Sequence, residues 1–181
     1  MNQSNKKKIH IYTDCPYFGG CENMLSVFSY SKLLNESFDI SIHYRYSKKY
    51  DEGFQKRVNP KIDSSCLKGI YSGDTFRSIK NGIVRRVCYI LEATFFKYPL
   101  TAWNIFILTK HFKKRVVDIL HINNGGYPAA RSCNAAVIAA KLVGINKIIY
   151  VVNNKPECYK NPIRWLDWPI DRLVKKNCNK F

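Results

Sequence analysis

The chain has 181 residues, enough for one domain with a substantial core but few for two. Apolar residues make up 46% and aromatic residues 14% of the sequence, a composition that excludes a disordered chain. Lys and Arg number 30 against 13 Asp and Glu, and this formal charge of +17 implies an anionic partner: nucleic acid, an acidic membrane surface or phosphorylated small molecules.

The sequence predicts neither a secretion signal nor a membrane span. The first apolar run, Ile9–Tyr12, is too short for a signal peptide. The longest apolar candidate, Tyr98–Leu108, falls short of the roughly 18 residues that a span requires. Seven cysteines, an odd number with no C-x-x-C pair, indicate idle or buried thiols and not a zinc site or a disulfide framework. We therefore expect a cytoplasmic protein without a metal or other cofactor.

The first 45 residues have the pattern of a β-α-β unit. Residues Lys8–Asp14 alternate apolar and polar, as a strand does, and are followed by the turn Cys15–Gly20. Apolar residues then recur at helical spacing, which predicts one helix over Cys21–Asn35. A second strand is predicted over Phe38–Tyr44. This order is typical of the start of a parallel sheet.

The middle of the chain has weaker signals. Residues 47–74 are polar, and only a short strand over Leu67–Tyr71 is predicted within them. Residues Thr75–Arg115 have the pattern of two helices broken near Pro99, with many Lys and Arg interleaved with aromatic and aliphatic residues.

Regular α/β alternation resumes after this block. The predicted elements are a buried strand, an alanine-rich helix followed by Gly144, a second buried strand and a helical tail: Val116–Ile122, Pro128–Val143, Lys147–Val152 and Pro162–Lys176. Residues 177–181 resemble the start of another element. The sequence thus predicts a single α/β domain over 1–181, with a Rossmann-like open parallel sheet and helices on both faces.

Three loops should converge at the carboxyl edge of this sheet, where open parallel sheets bind ligands. They are Cys15–Gly20, Asn123–Gly126 and Asn153–Asn154. Gly19 and Gly20, at a helix start, suit an anion because bare backbone amides point outward there, although a plain turn that uses glycine for its conformation fits equally well. The G-x-G-x-x-G and P-loop motifs are both absent.

Two titratable residues accompany these loops. His121 is placed by the prediction near the end of its strand, on the same face as Asn123, so it is either a ligand contact or a packed core residue. Asp14 ends the first strand and could orient a loop, contact a hydroxyl or act as a structural cap. No nucleophile motif is present, so His121 is the only catalytic candidate.

The basic and aromatic block over residues 76–115 has three interpretations. A helix pair with a solvated basic side is one, and a nucleic-acid surface is another, although no recognition motif accompanies the charge. The third is an interfacial membrane surface, with aromatic rings at the level of anionic headgroups. Its membrane-facing candidates are Arg85, Arg86, Trp103, Lys113, Lys114 and Arg115.

Three segments in this order resemble the N-terminal domain of retaining GT-B-fold glycosyltransferases of the glycogen-synthase-like group (family 4-like). They are KIHIYTDCPYFGGCEN, DILHINNGGYPAARSCNAAVIAAKL and KIIYVVNN followed by RWLDWPIDRLVKKNC. The resemblance covers most of the chain and is weak between residues 47 and 115. Family members often have a second His where Asn123 stands, and a His-Asp or similar pair where Asn153 and Asn154 stand.

The resemblance implies an enzyme that transfers a sugar from a nucleotide-diphosphate donor to a glycan or lipid-linked acceptor with retention. Gly19 and Gly20 would face the donor diphosphate. The acceptor side would be lined by Asp14, His121, Asn123, Asn124, Asn153 and Asn154. Many members lie peripherally on the inner face of the membrane.

The Glu-x7-Glu pair of the C-terminal donor-binding domain is absent from this sequence. We therefore expect a truncated protein or a fragment that is inactive alone. The alternative is a non-catalytic module that binds a membrane or a glycan.

Overall fold

The sheet of this protein has five parallel strands. The structure is a computed structural model and describes residues 6–72, 79–124, 126–127, 130–156, 158–160 and 162–180. The strands are β1 (Lys7–Thr13), β2 (Phe38–Arg45), β3 (Asp63–Leu67), β4 (Ile119–Asn124) and β5 (Lys147–Val152). Their spatial order is β3-β2-β1-β4-β5, and every neighbouring pair is parallel. The predicted Rossmann-like sheet is therefore confirmed.

Helices cover both faces of the sheet, as the sequence predicted. Because strand side chains alternate between faces, Ile11 and Tyr12 of β1 belong to two different cores. Ile11 packs with Ile42 and with side chains of the helices that follow β1 and β2. Tyr12 packs with Ile122 and with the later helices. Each fully buried Leu, Ile or Phe stabilises such a core by about 1.5–3 kcal/mol.

The helix predicted over Cys21–Asn35 is two helices, α1 (Asn23–Tyr30) and α2 (Lys32–Ser37). Ser31 separates them because its backbone is extended and its side chain accepts a hydrogen bond from the Leu34 amide at 3.3 Å. Serine is a favoured N-cap residue, so it starts a new helix and does not continue the old one.

The polar stretch after residue 46 contains a helix and a strand. Helix α3 (Lys48–Arg57) begins after Ser47, which caps it, and β3 follows at the sheet edge. The predicted strand over Leu67–Tyr71 is wrong because β3 ends where that prediction begins. Gly69 has a φ of +78°, a left-handed conformation that does not continue a strand. An edge strand with few apolar residues has no strong pattern to detect.

The two helices predicted over Thr75–Arg115 are α4 (Gly82–Leu91) and α5 (Lys97–Lys113), joined by the π-helical turn Glu92–Phe96. Residues 73–78, where the prediction began, lie outside the described residues. The irregularity precedes Pro99, which is the third residue of α5. Because the π turn runs directly into α5 and proline has no amide hydrogen, Pro99 cannot donate to a carbonyl of that turn.

The remaining elements follow the predicted order. They are β4, α6 (Arg131–Leu142), β5, the short α7 (Pro162–Trp165) and α8 (Trp168–Asn177). Strand β5 has the predicted bounds, whereas β4 begins three residues later than predicted. After α8, the Asn179 amide donates to the Ile148 carbonyl and the Tyr150 amide to the Lys180 carbonyl, both at 2.9 Å. Lys180 thus forms an isolated parallel bridge with Ile149 of β5.

Candidate functional site

The strand order of the sheet reverses between β1 and β4. The chain leaves β1 for α1, which packs on one face, and leaves β4 for α6, which packs on the other. In open α/β sheets this position at the carboxyl edge is the usual place of a ligand crevice, and below we call this edge the crevice.

The three predicted loops do converge at this edge. Asn123 and Asn124, predicted to lie in a loop, are the last two residues of β4. Asn123 donates from Nδ2 to the Cys21 carbonyl at 3.3 Å and accepts at Oδ1 from Asn153 Nδ2 at 3.0 Å. Asn153 also donates to the Asn124 carbonyl at 2.9 Å. These bonds join the end of β4 to the loops after β1 and β5. Gly125 lies outside the described residues.

Asn124 and Asn154 differ in the exposure of their side chains to solvent. Asn124 is buried, donates to the Tyr150 hydroxyl at 2.7 Å and accepts from the Gly126 amide at 3.1 Å. Asn154 is exposed at the same edge. Asn153 is exposed as well but makes the two hydrogen bonds described above, so Asn154 is the exposed asparagine that those bonds do not engage.

The glycine loop is closed by the Glu22 side chain. The Gly19 amide donates to Glu22 Oε2 at 3.0 Å, as in one half of a capping box. Neither Gly19 nor Gly20 has a positive φ. A Cβ on Gly19 would lie 3.0 Å from the Tyr17 ring, whereas one on Gly20 would meet no atom within 4 Å. The amide of Gly19 is thus committed within the loop. The Gly20 carbonyl accepts from the Asn23 amide at 3.2 Å, and the Cα of Gly20 has open space beside it.

Glu22 belongs to the Gly-Gly-x-Glu pattern of the first resembling segment, but the sequence analysis assigned it no role. It is 2% exposed, and its second carboxylate oxygen has no hydrogen-bond partner among the described residues. Its carboxylate lies at the start of α1, where it already complements the helix dipole and weakens the attraction of a further anion. Burial and the nearby Glu22 raise the pKa of the Cys15 thiol, so this cysteine is held neutral. The spacing of Gly19 and Glu22, three residues apart, was the available signal.

Asp14 is buried with both carboxylate oxygens engaged. Oδ1 accepts from Arg45 Nε and Oδ2 from Ser132 Oγ, each at 2.5 Å, and the Asp14 side chain is 2% exposed. Arg45 ends β2 and Ser132 begins α6. Asp14 therefore ties β1 to its neighbours on both sides, which supports the orienting role among those considered for it.

His121 lies in the middle of β4 and not near its end. It pairs in register with Ile11 and Ile149, and its ring centroid is 5.9 Å from that of Phe28 on α1. Burial lowers the pKa of His121 and keeps it neutral. It shares a face with Asn123, as predicted, but the structure packs it against α1 below the edge.

The six membrane-facing candidates do not form one patch. Arg85 and Arg86 are on α4, and Trp103 is near the middle of α5 with its Nε1 donating to the Gly69 carbonyl at 3.0 Å. Lys113, Lys114 and Arg115 lie at the far end of α5, which at 17 residues is about 25 Å long. Arg115 is bound there to Asp63 at 2.7 Å.

Helix α4 has no buried residue. Its aliphatic side chains are exposed together with Arg85 and Arg86. The exposed apolar side chains of α4 and the adjoining π turn are Ile83, Val84, Val87, Tyr89, Ile90, Leu91, Phe95 and Phe96. A helix of this length is marginal in water without packing, so this surface is suited to a partner.

A buried ionic network that the sequence did not reveal supports the carboxyl edge beside this helix. Lys97 binds Asp167 at 2.6 Å, and Arg164 binds Asp171 at 2.6 Å. Asp171 also accepts from the hydroxyl of Tyr127, in the loop after β4. Glu92, in the π turn, pairs with Arg131 at the start of α6. Each buried charge has an opposite charge, the condition under which such groups are tolerated.

The comparisons with known proteins include a solved structure of low sequence identity. No protein-family profile matches the sequence, and no curated protein sequence matches it. The crystal structure of TcCGT1 in complex with UDP is similar at a TM-score of 0.48 and 12% identity. That match covers 83% of this chain and 29% of TcCGT1, so the chain spans less than a third of that protein.

Two further features bear on the chemistry of the chain. Within the described residues, no group of His, Cys, Asp and Glu is arranged to hold a metal ion. No helix in the same residues is long and apolar enough to cross a bilayer.

Proposed function

We propose that this chain is the acceptor-side, Rossmann-like domain of a retaining GT-B-fold glycosyltransferase. The 181 residues provide one such domain and therefore one side of a two-domain cleft. The domain that holds the nucleotide-diphosphate sugar would come from another polypeptide segment, and the chain alone would catalyse no transfer. No metal or other cofactor is required in this half.

The observation that carries the proposal is the meeting of the β1 and β4 loops at the reversal of strand order, joined by Asn123 and the Cys21 carbonyl. This placement supports a ligand at the crevice. The ordered sequence resemblance then supports a sugar transferase among the functions that such sheets perform.

The hydrogen bonds divide the proposed site residues into two groups. Gly19, Asp14, Asn123, Asn124 and Asn153 have polar groups engaged inside the protein, so we assign them positioning roles. Gly20 would approach the donor diphosphate, and Asn154 the acceptor hydroxyls. His121 packs below the edge and would act by supporting the β4 loop.

Backbone amide NMR tests this assignment directly. Titration with UDP, ADP or GDP should shift the amides of residues 20–23 with weak, millimolar affinity, since half of the cleft is missing. Gly20→Val should abolish these shifts. Gly82→Val is the matched control, because a Cβ at either glycine meets no atom within 4 Å. Shifts that survive in Gly20→Val would contradict the proposal, and so would sugar transfer by the purified chain.

A membrane-binding function is the second candidate, favoured by the exposure of α4. Apolar and cationic side chains on an unpacked helix suit the inner, anionic face of a membrane, where each Lys or Arg contributes about 1 kcal/mol. Val87→Asp should strongly weaken sedimentation with anionic vesicles. Leu33→Asp, which makes the same exchange of an exposed apolar side chain for an acid on α2, should not. Binding that ignores anionic lipid and salt would remove this candidate. Duplex DNA should show little salt-dependent binding.

A further inference from the structure

An aromatic groove lies between the first turn of α5 and the segment that contains α7 and the start of α8. Its volume is about 480 Å³, within the range of ligand sites. Trp165 and Trp168 are its most exposed rings, at 62% and 53%. The lining residues are Tyr98, Tyr159, Trp165, Leu166, Trp168 and Pro169.

The polar atoms of three of the four aromatic side chains are hydrogen-bonded within the protein. The Tyr98 hydroxyl donates to the Leu166 carbonyl at 2.7 Å, and Trp165 Nε1 donates to the Tyr159 carbonyl at 2.8 Å. The Tyr159 hydroxyl donates to Asp171 at 2.5 Å. The groove therefore presents ring carbon to its occupant, which favours a hydrocarbon over a sugar or a peptide backbone that needs hydrogen-bond partners.

The groove is built on a rigid base. Lys97 and Arg164 are bound beneath it by Asp167 and Asp171, so the aromatic rings are held before any ligand arrives. A preformed apolar site binds without the entropy cost of ordering its walls. The site is thus suited to a ligand and is not a surface left by loose packing.

Charge at the groove indicates the other end of the occupant. The exposed Arg172 guanidinium lies 5.3 Å from the centre of the Trp168 ring, and exposed Lys160 follows Tyr159. The charge of Arg164, in contrast, is matched by two carboxylates. A phosphate-bearing head would therefore be attracted to the rim while its chain lies in the groove.

The groove is connected to the crevice by one carboxylate. Asp171 accepts from Tyr159, which lines the groove, and from Tyr127, which belongs to the loop after β4. Both loops leave the carboxyl edge of the sheet. The groove is therefore coupled structurally to the loop at the proposed acceptor side.

We propose that this groove holds the hydrocarbon chain of an amphiphilic, phosphate-bearing acceptor. The role as acceptor rests on the proposed function, whereas the binding of the chain does not. The groove selects acceptors by their apolar end, and the crevice receives the end that is glycosylated.

The three tryptophans of the chain permit a direct test. Two line the groove, and Trp103, 52% exposed on α5, lies outside it. Linear alkyl phosphates of 6, 8 and 10 carbons, kept below their micelle concentrations, should bind with affinity rising about fourfold per methylene. A terminally brominated chain should quench Trp165 and Trp168. Trp168→Ala should reduce binding at least tenfold, and Trp103→Ala should leave it unchanged.

The other outcomes would overturn the proposal. Affinity independent of chain length, or equal quenching of Trp103, would show nonspecific adsorption. Binding to anionic vesicles but not to monomeric alkyl phosphates would assign the surface to a membrane. Arg172→Gln should erase the preference for an alkyl phosphate over an alkyl maltoside of equal length, and retention of that preference would refute the proposed head-group contact.

Failure of the proposed function is distinguishable from failure of this inference. If alkyl chains bind in the groove but nucleotides cause no shifts at residues 20–23, the groove proposal stands and the transferase assignment fails. If nucleotides cause these shifts but alkyl chains do not bind, the transferase assignment stands and the groove proposal fails.

Discussion

Three histidines pack ring against ring between the sheet and the last turns of α5. The ring centroids of His10 and His43 are 4.5 Å apart, and those of His43 and His111 are 4.7 Å apart. Burial, with the nearby charge of Arg115, lowers the pKa of His10 and of His111 to about 4. Burial and the neighbouring His10 lower that of His43 to about 2. All three rings are therefore neutral in the folded protein at pH 5–8.

This cluster predicts a loss of stability in mild acid. In the unfolded chain these histidines protonate near pH 6.5, so below that pH the unfolded state binds more protons than the folded state. Their contribution is fully present above pH 6.5 and decreases as the pH falls toward the folded values. At pH 5, about 1.5 units below the ordinary pKa, each of the buried His10 and His43 costs about 2 kcal/mol. His111 is partly exposed and screened by solvent, so it adds less. The two buried rings alone cost about 4 kcal/mol, a large part of the 5–15 kcal/mol typical of a domain.

Urea denaturation at pH 7.5 and pH 5.0 measures this cost. The decrease in the free energy of unfolding between the two pH values should be about 2 kcal/mol smaller in His43→Gln, which cannot titrate and can still donate to Ser41. Ile148→Val, a buried change of about 0.5–1.5 kcal/mol that keeps every histidine, should retain the full decrease. An equal decrease in wild type and His43→Gln would refute the reasoning.

Three further changes address the site and its surroundings. Asp14→Asn should lower the free energy of unfolding by about 3–5 kcal/mol in urea titrations, because the buried ion pair with Arg45 is broken, and a loss below 1 kcal/mol would contradict that pairing. Glu22→Ala should cost about 1 kcal/mol by freeing the Gly19 amide, whereas Glu22→Gln, which still offers an acceptor, should cost less. Val87→Asp should leave the melting temperature within a degree or two, since α4 buries none of its side chains, and a large drop would show that α4 packs in solution.

The elements with strong local patterns were predictable. Strands β1 and β5 have alternating or continuous apolar residues, and α6 is bounded by Gly144, whose φ of +85° ends the helix as glycine does. Strand β3 was misplaced because an edge strand needs few apolar side chains. The break at Ser31 was missed because an N-cap is decided by the geometry of the chain, and serine is common elsewhere.

The sequence predicted the position of the candidate site, at the carboxyl edge of the sheet, but not its detailed geometry. Parallel strands place their carboxyl ends together, so the convergence of the loops at Gly20, Asn123 and Asn153 follows from the order of elements in the chain. The order of elements does not predict which amides remain available to a ligand. The Gly19 amide donates to the Glu22 carboxylate, and the Asn123 side chain donates to the Cys21 carbonyl. Whether such a bond forms depends on differences of a few tenths of an ångström in the distance between the loops.

The sequence by itself determined a basic α/β domain, its parallel strands and the loops that meet at one end, because hydrophobic periodicity and turn residues act over short spans. Only the tertiary structure decided the strand order, the pairing of Asp14 with residues 31 and 118 positions away, and the unpacked state of α4. It also decided the packing of His121 against Phe28 and the ionic base beneath the aromatic groove. These features depend on contacts between residues far apart in the chain, which no local pattern records.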